Sequence, residues 1–496
     1  MSSTRRKQLF LSAEPQPGVT ISDALLFVAA NGKLQPKDQS LTFNQEQYQR
    51  EISRASLSPL TSISGVVEAE SSFTLEVAGT TDFSNPFWSL VLEACGLRST
   101  AISTATIAST FGGTSGQKVI EHGSTLVGST ENATALGDHW EGQSRIRYYG
   151  VTPDEFDNPE TLTVTLPSTQ TVIATTNGVG GAGGYAWFPV SSSQIALAVS
   201  AIPGGAPAAG DLFKGTVSGA ILQAKATIAA AAAQAFELLD GIVSVGPGET
   251  LTNLTEAGRD CTIAASAVVS QTRIPTLTLG LIEDGRAVKM TGARGTVSFS
   301  TEIGKPVFMN FTFKGTLASI SNRGTVPGVT YNTLVPPKFM GAKFTVGSQA
   351  SSGYPGYNSY ASEHSPRVTS FSLDYGSQTS VQRDATQTNG TTVAFHTGTR
   401  QGKGQFNPEI RPEASFPLES LFQVGDTFRL RTSWGTNDGN RFLLTCPSCK
   451  ITAMGAGDRD GFATDDVSFD LSGLDVAGAE REDSELIFIY SLRGAF

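Results

Sequence analysis

Apolar and polar residues alternate along much of the chain. Phe73, Leu75 and Val77 alternate with Thr74 and Glu76, and Val307, Met309, Phe311 and Phe313 alternate with Phe308, Asn310, Thr312 and Lys314. A period of two puts successive side chains on opposite faces of a strand, so each run predicts a strand with one face in a core. Val297 and Phe299 begin the same pattern upstream, and IGKP at Ile303 to Pro306 supplies a turn. Val297 to Phe313 therefore reads as a hairpin, with Gly315 as its end. Thr369, Phe371, Leu373 and Tyr375 repeat the pattern, as do Thr427 to Arg431 and Leu486, Phe488 and Tyr490. Ala24 to Ala30 and Thr161 to Leu166 are further strand-like runs.

A few segments break this rhythm. Phe87, Leu90, Val91, Ala94 and Cys95 fall at i, i+3, i+4, i+7 and i+8, the stripe of a helix packed on a sheet. Ser84 or Asn85 can cap it, Pro86 suits the first helical position, and Gly96 can supply a left-handed stop. The alanine-rich stretch Ile221 to Leu239 predicts a second helix, and PLESLF at Pro417 to Phe422 a short helix or turn.

The texture divides the chain. Residues 113–272 are rich in Gly, Ala, Ser and Thr, including NGVGGAGGYAWF near residue 177, which reads as a flexible loop. A Pro- and Gly-rich joint lies near Thr325 to Pro337. We expect a mainly β chain of two tandem β-sandwich or barrel-like domains with long hairpins and a short helix. Residues 1–112 and 273–325 would form the first, 326–496 the second, and 113–272 an inserted, surface-exposed module containing β structure.

Composition narrows the function. A formal net charge of -10 argues against a surface built to neutralise phosphates, while allowing one past which DNA moves without sticking. The basic start MSSTRRKQ meets Glu14, Pro15 and Pro17 before any apolar region of useful length, so it does not read as a secretion signal. No apolar run approaches the ~20 residues of a membrane span. Four scattered cysteines are too few for a disulfide framework, which fits synthesis in a reducing cytoplasm.

Candidate chemistry is sparse. CPSC at Cys446 to Cys449 has redox or half-zinc spacing, but Cys261 and the histidines His122, His139, His364 and His396 fall in no matching ligand pattern. A plain pair at a strand end is the simpler reading. Asp458, Asp460, Asp465 and Asp466 crowd a glycine-bearing loop in the way calcium sites begin, yet their spacing is not that of an EF-hand, and a solvated acidic turn accounts for them. Arg429, Arg431 and Arg441 with Trp434 could form a nucleic-acid patch, or an exposed face plus core. No nucleophile elbow or phosphate-cradling loop is present. We expect neither enzyme activity nor a cofactor.

Two stretches resemble tail tube proteins of tailed bacteriophages with long flexible tails. They are SSFTLEVAGTTDFSNPFWSLVLEACGLRST at residues 71–100 and DGRAVKMTGARGTVSFSTEIGKPVFMNFTFKGTL at residues 284–317. In that family a strand leads to a helix ending like ACGL, here Ala94 to Leu97, and a GARG turn, here Gly292 to Gly295, precedes a hairpin. The likeness continues through PPKFMGAKFTVG, FSLDYGSQTSVQRD, the pairing of Arg400 with Asn407 to Glu409, and the terminal SELIFIYS. It departs at residues 113–272, which have no counterpart in the family pattern.

The resemblance implies a structural virion protein of the phage tail, made in the host cytoplasm. Its subunits would join hairpins side by side into rings that stack into a hollow tube for DNA ejection. Unpaired strand edges give a physical reason to close such rings. Two domains per chain would make a homotrimer with pseudo-sixfold symmetry. The expected partners are further copies of itself and terminator, tape measure and tail tip proteins, with DNA as cargo only and no membrane. Val297, Phe299, Val307, Met309, Phe311 and Phe313 are the candidate assembly hairpin. Phe87, Leu90, Val91, Ala94 and Cys95 are the candidate helix packing face. Alternatives are a terminator, hub or decoration protein of the tail, or a carbohydrate-binding or carbohydrate-cleaving β protein.

Overall fold

The computed structural model describes residues 7–49, 61–107, 124–348 and 363–491, apart from short stretches within them. It is mainly β, with large antiparallel sheets in a sandwich-like arrangement. The expected strands at Ser71–Val77 and Thr369–Tyr375 lie in Ile63–Glu76 and Val368–Asp374. The hairpin expected over Val297 to Phe313 is longer than its pattern, joining Arg286–Glu302 to Phe308–Asn322.

One run of paired strands forms the first layer. Lys37–Tyr48 pairs with Ile63–Glu76, then Phe308–Asn322, Arg286–Glu302, Val368–Asp374, Lys403–Pro408, Phe462–Ser472 and Arg441–Arg459. Residues before and after the Pro- and Gly-rich joint thus share one sheet, through the register Ser298↔Asp374 to Glu302↔Ser370. The second layer includes Lys343–Ser348, Thr427–Trp434, Ile487–Ser491, Thr171–Pro189 and Leu97–Ile107.

Between the layers lies a single aromatic core. Phe299 meets Phe488 at 5.3 Å between ring centres, and Phe406 and Phe428 pack on Phe469 at 5.9 and 5.8 Å. Trp88 and Trp187 sit 4.8 Å apart at one end, and the Trp187 indole donates to Ser89. Fully burying each such ring stabilises by about 1.5–3 kcal/mol, so this cluster dominates the fold's cohesion.

Residues 113–272 divide into two parts. The strand Thr171–Pro189 belongs to the main sandwich and brings Trp187 into its core. Arg145–Thr152, Thr134–Glu141, Ser124–Gly128 and Thr161–Thr165 pair in that order between Leu97–Ile107 and that strand. Strands from Gln194–Ala201 to Ser270–Thr272 instead form a separate seven-stranded sheet over its own core, including Phe213, Leu222, Phe236 and Ile263.

Several sequence expectations are corrected. Ala24 to Ala30 is not a strand but one helical turn, Asp23–Leu26, followed by a 3-10 turn, Ala29–Asn31. Leu26 and Phe27 are buried there against Phe10 while Leu25 and Val28 are exposed, a pattern of helical turns and not the alternation of a strand. The alanine-rich helix is instead the strand pair Ile221–Ala224 and Ala233–Asp240. Its Leu222 and Phe236 are needed in a sheet core, which overrides alanine's helix preference. NGVGGAGGYAWF is not a loop but part of the strand Thr171–Pro189. Gly315 lies inside a strand, where a Cβ would press on the Thr291 carbonyl.

The expected helix Pro86 to Cys95 shortens to Ser89–Ala94. Trp88 occupies the cap position, held by its indole donating to the Ala78 carbonyl at 2.8 Å, and this tether delays the helix start. The expected caps Ser84 and Asn85 lie outside the described residues, while Gly96 is the left-handed stop, with φ 89°. PLESLF contributes to a helix, Leu418–Val424. Among the described residues no helix is long and apolar enough to cross a membrane.

Candidate assembly and channel surface

Direct neighbours across paired strands share a face, so the register of the first layer defines its two surfaces. One row reads Leu75, Met309, Phe299, Leu373, Gly404, Phe469, and it faces the core. The next row, on the opposite face, reads Thr74, Asn310, Ser298, Asp374, Lys403, Asp470, Lys450. Thr74 donates to Asn310, whose amide reaches Ser300 at 3.1 Å. Hydroxyls and amides thus form a lateral ladder. Lys37, the register partner of Thr74, begins the row, and carboxylates and lysines alternate at its other end, so the row carries one net positive charge, which Glu76 in a neighbouring row offsets.

The hairpin Lys37–Tyr48/Ile63–Glu76 extends past the core as an arm. Its outer strand is exposed on both faces from Thr42 to Tyr48, with Phe43, Tyr48 and Ile63 among the exposed large apolar residues. Among the described residues that strand pairs only with Ile63–Glu76, leaving its other edge open. Sequence patterning missed this arm because TFNQEQYQRE is polar on both faces and offers no alternation to count. The usable signal is the isolation of Phe43 and Tyr48 in a polar strand-length run.

The six residues of the candidate assembly hairpin form its core-facing side. Val297, Phe299, Val307, Met309, Phe311 and Phe313 are all buried in this chain's own core, and Phe73 stacks on Phe313 at 5.9 Å. They cannot contact another copy without unfolding the sandwich. Only the opposite face of that hairpin, with Ser298, Asn310 and Thr312, is accessible. Of the helix residues, Val91, Ala94 and Cys95 are fully buried and Leu90 is half-buried. Phe87 is 40% exposed, because it precedes the helix and turns outward under the Lys33 ammonium, 4.7 Å from the ring centre.

A buried carboxylate anchors the start of the chain. Glu14 accepts hydrogen bonds from the Thr276, Thr278 and Thr291 hydroxyls and from the Gly18 and Gly292 backbone N–H groups, at 2.7–2.8 Å. Gly292 to Gly295 is therefore not the turn the family pattern implies. It is a bulge inside Arg286–Glu302, with Gly292 at φ 63°, and the bulge aims the Gly292 N–H at Glu14. Nothing in the local sequence marked Glu14 as buried.

The remaining candidates are structural. Cys446 and Cys449 lie within the long strand Arg441–Arg459 rather than at a strand end, and both are buried. Burial, reinforced by hydrogen bonding to Cys446, pushes the Cys449 thiol well above its ordinary range, which suppresses nucleophilic reactivity. Burial likewise raises Cys95, and it raises Cys261 to about 11 with help from Asp260 and Asp211. Asp458, Asp465 and Asp466 flank a hairpin turn with Gly461 at φ 83°, while Asp460 lies outside the described residues. Partial burial, then Glu419 and Asp466, raise the Asp465 carboxyl. Among the described residues no set of three or more His, Cys, Asp or Glu side chains converges as a metal site. Trp434 is core, stacked 5.5 Å from Phe442, so it is not part of a basic and aromatic binding patch.

A pocket of about 420 Å³ lies at the base of the arm, lined by residues including Leu34, Leu75, Phe87, Trp88 and Tyr331. Comparison of the chain with protein-family models and with curated proteins gives no match.

Proposed function

We propose that this chain is a self-assembling structural subunit of a phage tail tube, with the polar face of its first layer lining the channel. The observation that carries this reading is the arm, a strand-length element with both faces exposed and one open edge. An open edge of that length presents backbone donors and acceptors in a row, and pairing with a second copy satisfies them.

The polar face supports the same reading. Its hydroxyls, amides and balanced charges offer no cationic row to release DNA counterions, so a duplex would slide past it rather than bind. The eight paired strands of the first layer run continuously through residues of both halves of the chain. Three copies, closing at an interstrand spacing of about 4.8 Å, would make a wall roughly 37 Å across at the backbone before strand tilt widens it. That admits a DNA duplex, and it favours a trimeric ring with pseudo-sixfold symmetry.

The test is velocity sedimentation of the purified chain beside a Phe43→Asp/Tyr48→Asp double variant. The wild type is expected to form high-mass polymers, and the variant to remain a folded subunit with an unchanged melting temperature. Equal polymerisation of both would remove the arm from the assembly.

A further inference from the structure

A second hairpin, Thr379–Arg383/Thr391–His396, lies across Arg286–Glu302, Phe308–Asn322 and Ile63–Glu76. Val381, Val393 and Ala394 bury their side chains beneath it. Two of its residues, Thr391 and Arg383, tie it to the arm. The Thr391 hydroxyl meets Thr316 at 3.0 Å and the Val67 carbonyl at 3.2 Å, and Arg383 pairs with both Glu46 and Glu68. Such exposed ion pairs contribute little, so the hairpin is seated by its buried apolar side chains and by its far end.

That far end is His396. Its Nε2 faces the Ala94 carbonyl at the end of helix Ser89–Ala94, 3.3 Å away, and its Nδ1 lies 2.8 Å from the Ser377 hydroxyl. A carbonyl only accepts, so Nε2 carries the proton and Nδ1 accepts from Ser377. The charged groups around the ring come from three further segments. Arg294 of the strand Arg286–Glu302 bonds the Ile274 carbonyl at 2.9 Å. Arg400 follows the hairpin, ion-paired with Glu485 and 5.7 Å over the Tyr375 ring. On the helix itself, Glu93 is engaged by Ser89 and Ser99. The carboxylates are therefore occupied, and a proton on His396 would add a third cation beside two arginines.

We propose that this hairpin is an acid-released clasp on the arm: neutral His396 seats it against helix Ser89–Ala94, and protonation lifts it away from Ile63–Glu76. The clasp operates whether or not the arm is an assembly element. Burial, then the Arg294 charge, lowers the His396 pKa from 6.5 to about 4, with Arg400 adding to the effect and the Ala94 bond opposing it. Because the docked pKa is depressed, the clasp holds at full strength above the ordinary histidine range. It weakens as pH falls toward 4, by at most about 300-fold for a shift of this size.

Hydrogen exchange of the full chain between about pH 7 and pH 4, corrected for the intrinsic rate, reads the clasp directly. Carbon-13 NMR of the four histidines gives the ring titration alongside. The amides of Thr379–Arg383, Thr391–His396 and Val66–Glu70 are expected to lose protection with a midpoint matching that of His396, while Arg441–Arg459 stays protected. His396→Asn should make clasp exchange independent of pH. Acid loss that persists in His396→Asn would overturn the proposal, as would a clasp that opens only when Arg441–Arg459 opens. Should His396→Asn fail to fold, the wild-type midpoints decide: coincidence supports the clasp, and separation overturns it.

Discussion

The backbone N–H of Gly292 donates to Glu14 Oε1 across 2.7 Å, joining the residue that follows the strand Lys7–Ala13 to a bulge 278 residues later. Four further donors complete the cage around that carboxylate. Lys7–Ala13 pairs with Leu277–Glu283, which pairs with Arg286–Glu302, so the cage closes a three-stranded corner of the fold.

Glu14→Ala removes the acceptor for two backbone N–H groups that cannot turn elsewhere, while the three hydroxyls can re-aim. Leaving buried donors unmet costs about 1–3 kcal/mol each, so the substitution should destabilise by about 3 kcal/mol or more. Glu14→Gln keeps one acceptor oxygen and should cost about half as much. Urea unfolding measures both, and a change no larger than that of an exposed substitution would show that the cage is dispensable.

Glycines in the hairpin Arg286–Glu302/Phe308–Asn322 should respond unequally. A Cβ at Gly295 would overlap the Thr312 carbonyl and the Phe313 ring, whereas one at Gly304 meets open space and bears only its φ of 80°. Gly304→Ala should therefore cost about 1 kcal/mol and Gly295→Ala several times more. Thermal melting of the two variants in parallel checks the order.

Gln194 and Thr272 are register partners, so the seven-stranded module enters and leaves the chain side by side. Replacing residues 194–272 with a short glycine-serine linker should leave the main sandwich folded, with its near-UV aromatic signal from Trp88, Trp187 and Trp434 retained. Deleting residues 124–189 as well would remove Trp187 and a strand paired with Ile487–Ser491, and should collapse that signal. Loss of the signal in the first deletion would contradict the separation of the two cores.

All four cysteines are buried free thiols. The native chain should react with none of its thiols during a short exposure to a thiol-exchange reagent, and with four after denaturation. Rapid native labelling of Cys446 or Cys449 would mean that the strand Arg441–Arg459 opens locally.

The long strands were legible in the sequence because their burial is one-sided. Phe73, Leu75, Phe311, Phe371 and Leu373 all alternate with polar neighbours, and all occupy the core they imply. What failed was set by tertiary context. Ile221 to Leu239 has helical propensity but is committed to a sheet by Leu222 and Phe236. Leu26 and Phe27 are buried by Phe10 and Ile282 from distant strands while Leu25 is exposed, which an all-apolar run does not reveal. The candidate surface was less legible still. Its polar row becomes a surface only once register aligns Thr74 with Asn310, Ser298 and Asp374, and no local pattern encodes pairing across more than two hundred residues.

End-on electron microscopy of the purified, polymerised chain distinguishes a hollow tube from any other assembly. Stacked hollow rings of three copies each are expected, with the row from Thr74 to Lys450 facing the channel and the arm paired to a neighbouring copy. Rings of six copies would contradict the trimeric closure. Solid fibres, or a wall lined by the opposite face, would contradict the channel itself.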